Sequence, residues 1–397
     1  MQLAFEAIPF GYGPASEVVA IARAVRSRLG DDCRLVAIGD ETSYRLFAST
    51  AVFDEYVRFR YDEADLGPEV EAVLASSDAV VSGHSPLFLD AIQGLSADCF
   101  VVNTLDWMAT LDDETLTAPD RSHAYYAPHF PGVGPEPAAE SGRGPNEHVV
   151  NPIRNNDALA AVADAHDGCE DGFALVNFGG MDSPLGSNDA LAIAMATEIA
   201  AAAESSDREW RLRFSGGGTT MERIDRRLAD VDVSTDVVTS TRSHEAFLGD
   251  LARCELFVTA PGMNSTYEAL FFETATMFVL PMNYSQHLQL RAFSEFLCGY
   301  DRIHTDEIEP FEPLSPELSE REGVAACLEQ GRAFGKDSSA RKAFRTQIEA
   351  CFDREHRSGI TVKRDAAGAP TIRFDGAERI ASDVVASLRE CARGRAS

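Results

Sequence analysis

Lysine is nearly missing from this sequence. Lys336, Lys342 and Lys363 are the only lysines in 397 residues, and every other strongly basic side chain is Arg. The 35 basic residues stand against 64 acidic ones, a formal net charge of −29. That balance excludes a general nucleic-acid binder, because phosphate binding needs a basic surface that releases counterions. It also disfavours docking on anionic lipid. Two origins fit the missing lysine and stay open at this point. One is a solvated acidic surface suited to a salt-loaded, halophilic cytoplasm; the other is a GC-rich genome that encodes Arg in place of Lys.

Other absences narrow the class further. No stretch of about 18 apolar residues occurs, so nothing is expected to span a bilayer. The N-terminal MQLAFEAIPFGYG lacks the basic start and the apolar run of about 7–15 residues that mark a signal peptide. Cysteines at 33, 99, 169, 254, 298, 327, 351 and 391 form no CxxC pair and no Cys/His cluster at zinc spacing. Neither a disulfide framework nor a structural metal is indicated. The cysteines are expected to be small core hydrophobes in a reducing compartment. No short-period repeat or low-complexity tract is present. The chain is expected to be soluble and cytoplasmic, with no nucleic-acid partner and no stable membrane insertion. Its composition leaves a homo-oligomer open.

What is present is an alternating series of short apolar runs and helical patterns. At roughly 100–200 residues per domain, the length predicts two domains. Strands are expected at Leu3–Ile8, Cys33–Ile38, Val52–Val57, Asp78–Ser82 and Cys99–Asn103. Helices are expected over 15–29 and near 41–48, 67–76 and 86–94. Such repetition predicts a parallel sheet covered on both faces. The region around His123, Tyr125, Tyr126 and His129 is expected to be a loop over a cleft. Phe130 to Pro145, rich in Pro and Gly, is expected to be a loop as well. His148–Ile153 resumes strand character, and 155–172 reads as an interdomain connection. A second series follows, with strands at Phe173–Phe178, Trp210–Ser215, Val237–Ser240, Leu256–Ala260 and Met277–Leu280, and a helix at Ala190–Ala203. The expected fold class is α/β, with two Rossmann-like domains facing a cleft. The first covers 1–156 and the second 157–375. A last amphipathic helix, from 376 on in the C-terminal stretch 376–397, is expected to cross back to the first.

In parallel sheets, ligands bind at the carboxyl ends of strands. Second-half strands end in Gly179-Gly180, Gly216-Gly217-Gly218, Pro261-Gly262 and Pro281. Glycine lets backbone approach an anion, and a helix starting there offers N–H groups and a positive dipole end. The segment Leu256 to Gln289 is the most informative. Its helix is expected to start at about Asn264-Ser265, with Glu268 on the first turn. Asn264, Ser265 and the helix N–H groups could hold a diphosphate, and Glu268 could accept from ribose hydroxyls. The alternative is that Ser265 caps the helix and Glu268 complements its dipole.

This segment resembles the nucleotide-sugar glycosyltransferases of the two-Rossmann-domain GT-B type. The similarity is to the UDP-glycosyltransferases and to the N-acetylglucosaminyltransferase that makes the peptidoglycan lipid precursor. Their HxGxxSxxE signature, followed by a strand and Pro-x-x-x-Asp-Gln, falls on Gly262, Ser265, Glu268, Pro281 and Gln286. The sequence departs from it at Ala260, in place of the phosphate-contacting His, and at Ser285, in place of an acidic residue. Asn151-Pro152-Ile153-Arg154 resembles the end of the peptidoglycan enzyme's first domain. The resemblance implies that the Gly262 loop and Ser265 hold the diphosphate, Glu268 the ribose diol and Gln286 the sugar hydroxyls, with Asn283 and Ser285 beside it. Gly179, Gly180 and Gly217 would approach the nucleotide, and His244 would lie on a loop near its base. Three segments are similar to the cytosylglucuronate synthases of nucleoside-antibiotic biosynthesis: Phe10 to Ser16, Asn177 to Pro184 and Pro281 to Gln286. For a carboxylated sugar, Arg291 is a candidate partner, with a solvated surface Arg as the alternative.

Sugar transfer needs a base or an orienting group on the acceptor. Many relatives use a His in the first strand–helix loop, but Pro9 to Glu17 contains none. Glu17, His84 and Asp106 are the candidate substitutes, each also readable as an ordinary helix or turn residue. Gly11, Tyr12, Gly13 and Trp107 are candidate acceptor contacts, with the aromatic rings stacking on a planar base or packing at the rim. No Asp-x-Asp motif occurs in a suitable loop and Asp182 stands alone, so no metal and no cofactor are expected beyond the UDP-sugar co-substrate. The expected activity is inverting, metal-independent transfer of a sugar from a UDP-sugar to a small soluble acceptor, with glucuronate and a pyrimidine base as the implied pair. The alternatives are a UDP-sugar epimerase on the same fold and an inactive glycosyltransferase-like partner subunit.

Overall fold

The computed structural model describes residues 1–60, 66–83, 85–92, 95, 97–107, 122–130, 144–166, 168–179, 186–231, 235–305, 308–309, 311–355, 357–363 and 372–396. They form two compact units, 1–156 with 371–397, and 157–370.

Unit 1 is a seven-stranded parallel sheet in the order β3-β2-β1-β4-β5-β6-β7. Its strands are β1 (Gln2–Ala7), β2 (Arg34–Gly39), β3 (Glu55–Arg58), β4 (Ala79–Gly83), β5 (Asp98–Val102), β6 (Ala124–Pro128) and β7 (Glu147–Val150). The helices are α1 (Gly13–Leu29), α2 (Glu41–Ala48), α3 (Pro68–Ser76) and α4 (Pro86–Ile92); α5 (Asn156–Ala165) belongs to unit 2 from residue 157 on. Strands buried on both faces read as continuous apolar runs, and here each face has its own core. Leu3, Phe5 and Ala7 of β1 pack with Val18, Ile21 and Ala22 of α1. Ala4, one residue out of phase, packs with Val70, Leu74, Phe88 and Leu89 beneath α3 and α4.

Unit 2 is a six-stranded parallel sheet in the order β10-β9-β8-β11-β12-β14. The strands are β8 (Glu170–Asn177), β9 (Arg211–Ser215), β10 (Asp236–Ser240), β11 (Cys254–Thr259), β12 (Thr276–Phe278) and β14 (Tyr300–Arg302). The helices are α6 (Asp189–Ser205), α7 (Gly218–Ala229), α8 (His244–Arg253), α9 (Met263–Phe272), α10 (Tyr284–Phe296), α11 (Glu320–Lys336) and α12 (Ser338–Phe352). A two-stranded ribbon pairs β13 (Leu297–Cys298) with β15 (Thr361–Val362).

The last helix, α13 (Gly376–Ala396), lies on unit 1. Ile380, Ala381, Val384 and Leu388 enter the core beside α1. Tyr126 donates to Asp383 at 3.0 Å, and Asn156 donates to the Phe374 carbonyl at 2.7 Å. Among the described side chains seven cysteines are free thiols, and Cys33, Cys99, Cys254, Cys327 and Cys351 of them are buried. Among the described residues no helix is long and apolar enough to cross a membrane.

Several local expectations are corrected. The region expected to be a loop at His123–His129 contains β6, paired between β5 and the edge strand β7, and its Tyr125 and Tyr126 are buried. The tyrosine rings supply the strand's apolar area, and their hydroxyls find partners at its margins. The stretch 155–172 contains α5 and the start of β8 rather than a bare connection. β3 begins at Glu55, because Val52 and Phe53 leave the sheet to pack into the α1 core. α9 begins at Met263, which moves Glu268 beyond the first turn. His244 is the first residue of α8 and not a loop residue.

Candidate functional site

In unit 2 the chain runs outward from β8 to β9 and β10, then returns to β11 on the other side of β8. That reversal puts a switch point between the carboxyl ends of β8 and β11, where open α/β sheets form a ligand crevice. Gly179 follows β8, and Pro261-Gly262 follow β11. Asn177 braces the two: its Oδ1 accepts from Gly179 N at 3.0 Å and its Nδ2 donates to Thr259 Oγ1 of β11 at 3.3 Å. Gly179 has φ +71°, a left-handed conformation that glycine adopts without steric cost. Its carbonyl accepts from Gly217 N at 3.1 Å, which ties the β8 and β9 ends together.

Among the helices that follow strands on this edge, four start in two different ways. α8 is capped by Ser243, which accepts from Ala246 N, and α10 by Asn283, which accepts from Gln286 N. α7 and α9 start at Gly217 and Gly262 with no side-chain cap. A glycine start leaves the first-turn amides without a competing side chain and gives an anion room to approach. Ser265 is not the cap of α9. It is the third helical residue, and its hydroxyl donates back to the Gly262 carbonyl at 3.2 Å.

Glu268 is buried on the inner side of α9, and its Oε1 lies 2.7 Å from His244 Nε2. Asn264 stands on the first turn of the same helix. Gln286 accepts from Met282 N at 2.7 Å through its Oε1. Its Nε2 faces the Gly262 loop: a methyl group added at Gly262 would lie 3.7 Å from that nitrogen and 3.3 Å from Ser265 Oγ. Ser285 donates to Asn283 Oδ1 at 2.9 Å, so both belong to the α10 cap. Arg291 lies on the exposed side of α10. The structure thus gathers Gly179, Gly217, His244, Gly262, Asn264, Ser265, Glu268, Asn283, Ser285 and Gln286 along one sheet edge. Gly180, Asp182 and the remainder of the loop to Leu185 lie outside the described residues.

In unit 1 the switch point falls between β1 and β4. Gly11 has φ +66°, Tyr12 is the N-cap residue of α1, and Gly13 is that helix's first residue. Glu17 is only 2% exposed. Its Oε2 accepts from Thr104 Oγ1 at 2.7 Å, and its Oε1 lies 3.7 Å from Arg154 Nη1. Burial pushes its carboxyl up to about 7, against the opposing pull of Arg154 and Thr104. Asp106 accepts from Tyr125 OH at 2.8 Å, and that hydroxyl accepts from Asn103 Nδ2 at 2.8 Å. Trp107 stacks on Phe130 with centroids 4.9 Å apart at 20°, so one indole face is already covered. His84 lies outside the described residues.

Two groups were not singled out by the sequence. Glu6 on β1 is fully buried, accepts from Ser82 at 2.6 Å and is pushed up to about 8 by burial. Its one signal is a charged residue inside the otherwise apolar strand run Leu3–Ile8. His287 on α10 is pushed down to about 4 by burial. Among the described residues no group of three or more His, Cys, Asp or Glu side chains could hold a metal ion.

No family model and no curated protein matches this sequence. Solved structures do. A MnaA–UDP structure from S. aureus is 10% identical, with a TM-score of 0.50, over 98% of this chain and 97% of that one. MurG of Acinetobacter baumannii is 12% identical, with a TM-score of 0.49, over 97% and 99%. A UDP-glucosyltransferase from Polygonum tinctorium is 13% identical, with a TM-score of 0.48, over 98% of each chain. At such identity the likeness concerns the fold alone. Two Rossmann-like parallel-sheet domains make up that fold, the GT-B class that the sequence resemblance implied.

Proposed function

We propose that this protein is an inverting, metal-independent glycosyltransferase that moves a sugar from a UDP-sugar to a small soluble acceptor. The observation that carries the reading is the pair of uncapped, glycine-started helices α7 and α9 on the sheet edge that also holds His244 and Glu268. The first-turn amides that follow Gly217 and Gly262, with Ser265 and Asn264, would meet the diphosphate. Glu268 would accept from the ribose diol, with His244 holding its carboxyl in place. Gln286 would offer its Nε2–H groups to the sugar. Catalysis would come from positioning and from fixed dipoles aimed at the departing diphosphate.

The base is assigned to unit 1. Glu17 is favoured over Asp106, because a carboxyl raised to about 7 is matched to proton abstraction near neutrality. Asp106 is committed to the buried Tyr125 hydroxyl. The donor sugar is proposed to be glucuronate and the acceptor a pyrimidine base, with Arg291 as the candidate carboxylate partner.

The test compares UDP-glucuronate, UDP-glucose and UDP-N-acetylglucosamine. A ligand that binds only the native state raises its melting temperature, so the donor should stand out in a thermal screen. Donor consumption is then followed with and without cytosine, in buffer containing EDTA. Transfer that needs the acceptor and survives EDTA supports the reading. A stereoisomer formed without acceptor would instead mean an epimerase, and UDP binding without turnover would mean an inactive partner subunit.

A further inference from the structure

Glu17 presents a difficulty as a base, because both of its oxygens are taken. Oε2 accepts from Thr104, Oε1 faces Arg154, and the side chain is almost wholly buried. An acceptor molecule cannot lie against it. Thr104 differs: it is half-buried, and it stands in the turn that closes β5, at the carboxyl edge of the unit 1 sheet. That turn is held firmly. Asn103 Oδ1 accepts from Leu105 N at 3.0 Å, while Asn103 Nδ2 donates to the buried Tyr125 hydroxyl at 2.8 Å.

We propose that Thr104 is the group that touches the acceptor, and that it relays the acceptor's proton to Glu17. A hydroxyl carries one donor and two acceptor lone pairs. Its one proton points at Glu17, so its lone pairs remain for an incoming N–H or O–H. The step balances. The acceptor heteroatom forms a bond to the anomeric carbon as the bond from that carbon to the diphosphate oxygen breaks, and the diphosphate leaves with the electron pair. The acceptor's proton passes to Thr104 Oγ1, and the original Thr104 proton passes to Glu17 Oε2. Thr104 ends as a neutral hydroxyl, and Glu17 ends protonated and returns its proton to water. Arg154 acts as a positioning residue, because its charge opposes the burial of Glu17 and keeps the carboxyl able to ionise near neutrality.

The proposal rests on the transferase reading above. Its test uses the full chain with UDP-glucuronate and cytosine. Thr104→Val is expected to lower kcat by about 10²- to 10⁴-fold, while UDP affinity by calorimetry and the melting temperature stay near native. Thr104→Ser, which restores the hydroxyl, is expected to recover most of the rate. The acid limb of the native kcat–pH profile, centred near the Glu17 value, is expected to disappear in Thr104→Val and in Glu17→Gln. Native kcat and an unchanged acid limb in Thr104→Val would overturn the relay alone. So would a Thr104→Ser variant as slow as Thr104→Val. A native protein that binds UDP but transfers no sugar would overturn the transferase reading, and the relay with it.

Discussion

His244 Nε2 and Glu268 Oε1 meet at 2.7 Å, joining the first residue of α8 to the second turn of α9. The contact fixes a buried carboxyl at the edge where the proposed ribose would lie. Glu268→Ala removes the acceptor itself. Hydrogen bonds to a charged group contribute about 1.5–3 kcal/mol, so UDP affinity should fall about 10- to 100-fold. His244→Ala removes only the brace and should weaken UDP by less than Glu268→Ala. Isothermal calorimetry with UDP checks both, and unchanged affinity in Glu268→Ala would show the site assignment to be wrong.

Gly179 links backbone conformation to binding. Its positive φ and its carbonyl bond to Gly217 N shape the end of β8. Any side chain there pays the left-handed penalty of about 1–2 kcal/mol. Gly179→Ala should therefore lower the melting temperature by a few degrees and weaken UDP. Among the described residues nothing crowds the position itself, since an added Cβ meets none of their atoms within 4 Å. A melting temperature equal to native would exclude strain as the reason for glycine.

The fold and the glycine-rich carboxyl edge of unit 2 were legible for the same reason. Strands buried on two faces must be apolar runs, and turns that approach an anion need Gly, so Leu256–Gln289 displays both in one short stretch. Partnerships were not legible, because they join residues distant in sequence. Thr104 meets Glu17 across 87 positions, and His244 meets Glu268 across 24. Ser265 was ambiguous for a different reason. A hydroxyl near a helix start serves as a cap or as an internal residue, and only the actual start at Met263 decides. Tyr125 and Tyr126 hid β6 because their rings bury like Phe while their hydroxyls look polar in a sequence count.

Asp250 predicts a large stability effect away from the proposed site. It is fully buried on α8, and Arg213, Arg242 and Arg253 converge on it. Asp250→Ala would leave three guanidinium groups packed together without their shared anion. Removing one partner of a buried pair costs about 3–5 kcal/mol. The arginines keep a quarter to a third of their exposure, so the lower end of that range is expected. Urea unfolding measures it, and a loss below about 1 kcal/mol would place this cluster with ordinary surface pairs.

Glu6 sets the direction of the pH dependence. Its carboxyl is raised to about 8, so native Glu6 keeps a proton that the unfolded chain releases above about 4.5. The native state then binds more protons than the unfolded state, and stability falls as pH rises through that window. Glu17, raised to about 7, acts in the same direction over a shorter range. His287, lowered to about 4, acts oppositely, and stability is lost as pH falls from about 6.5 toward 4. Between pH 7 and 8 His287 is mostly neutral in both states, and Glu17 goes from about half to about a tenth protonated, so Glu6 is the larger of the two remaining contributors. One proton corresponds to about 1.4 kcal/mol per pH unit, so the Glu6 share of the decline in unfolding free energy should approach that slope. Glu6→Gln removes the titrating group but keeps an acceptor for the Ser82 hydroxyl at 2.6 Å. Urea unfolding at pH 7.0, 7.5 and 8.0 should show the native slope and a flatter one in Glu6→Gln. Equal slopes in the two proteins would mean that Glu6 is already ionised in the folded state at neutral pH.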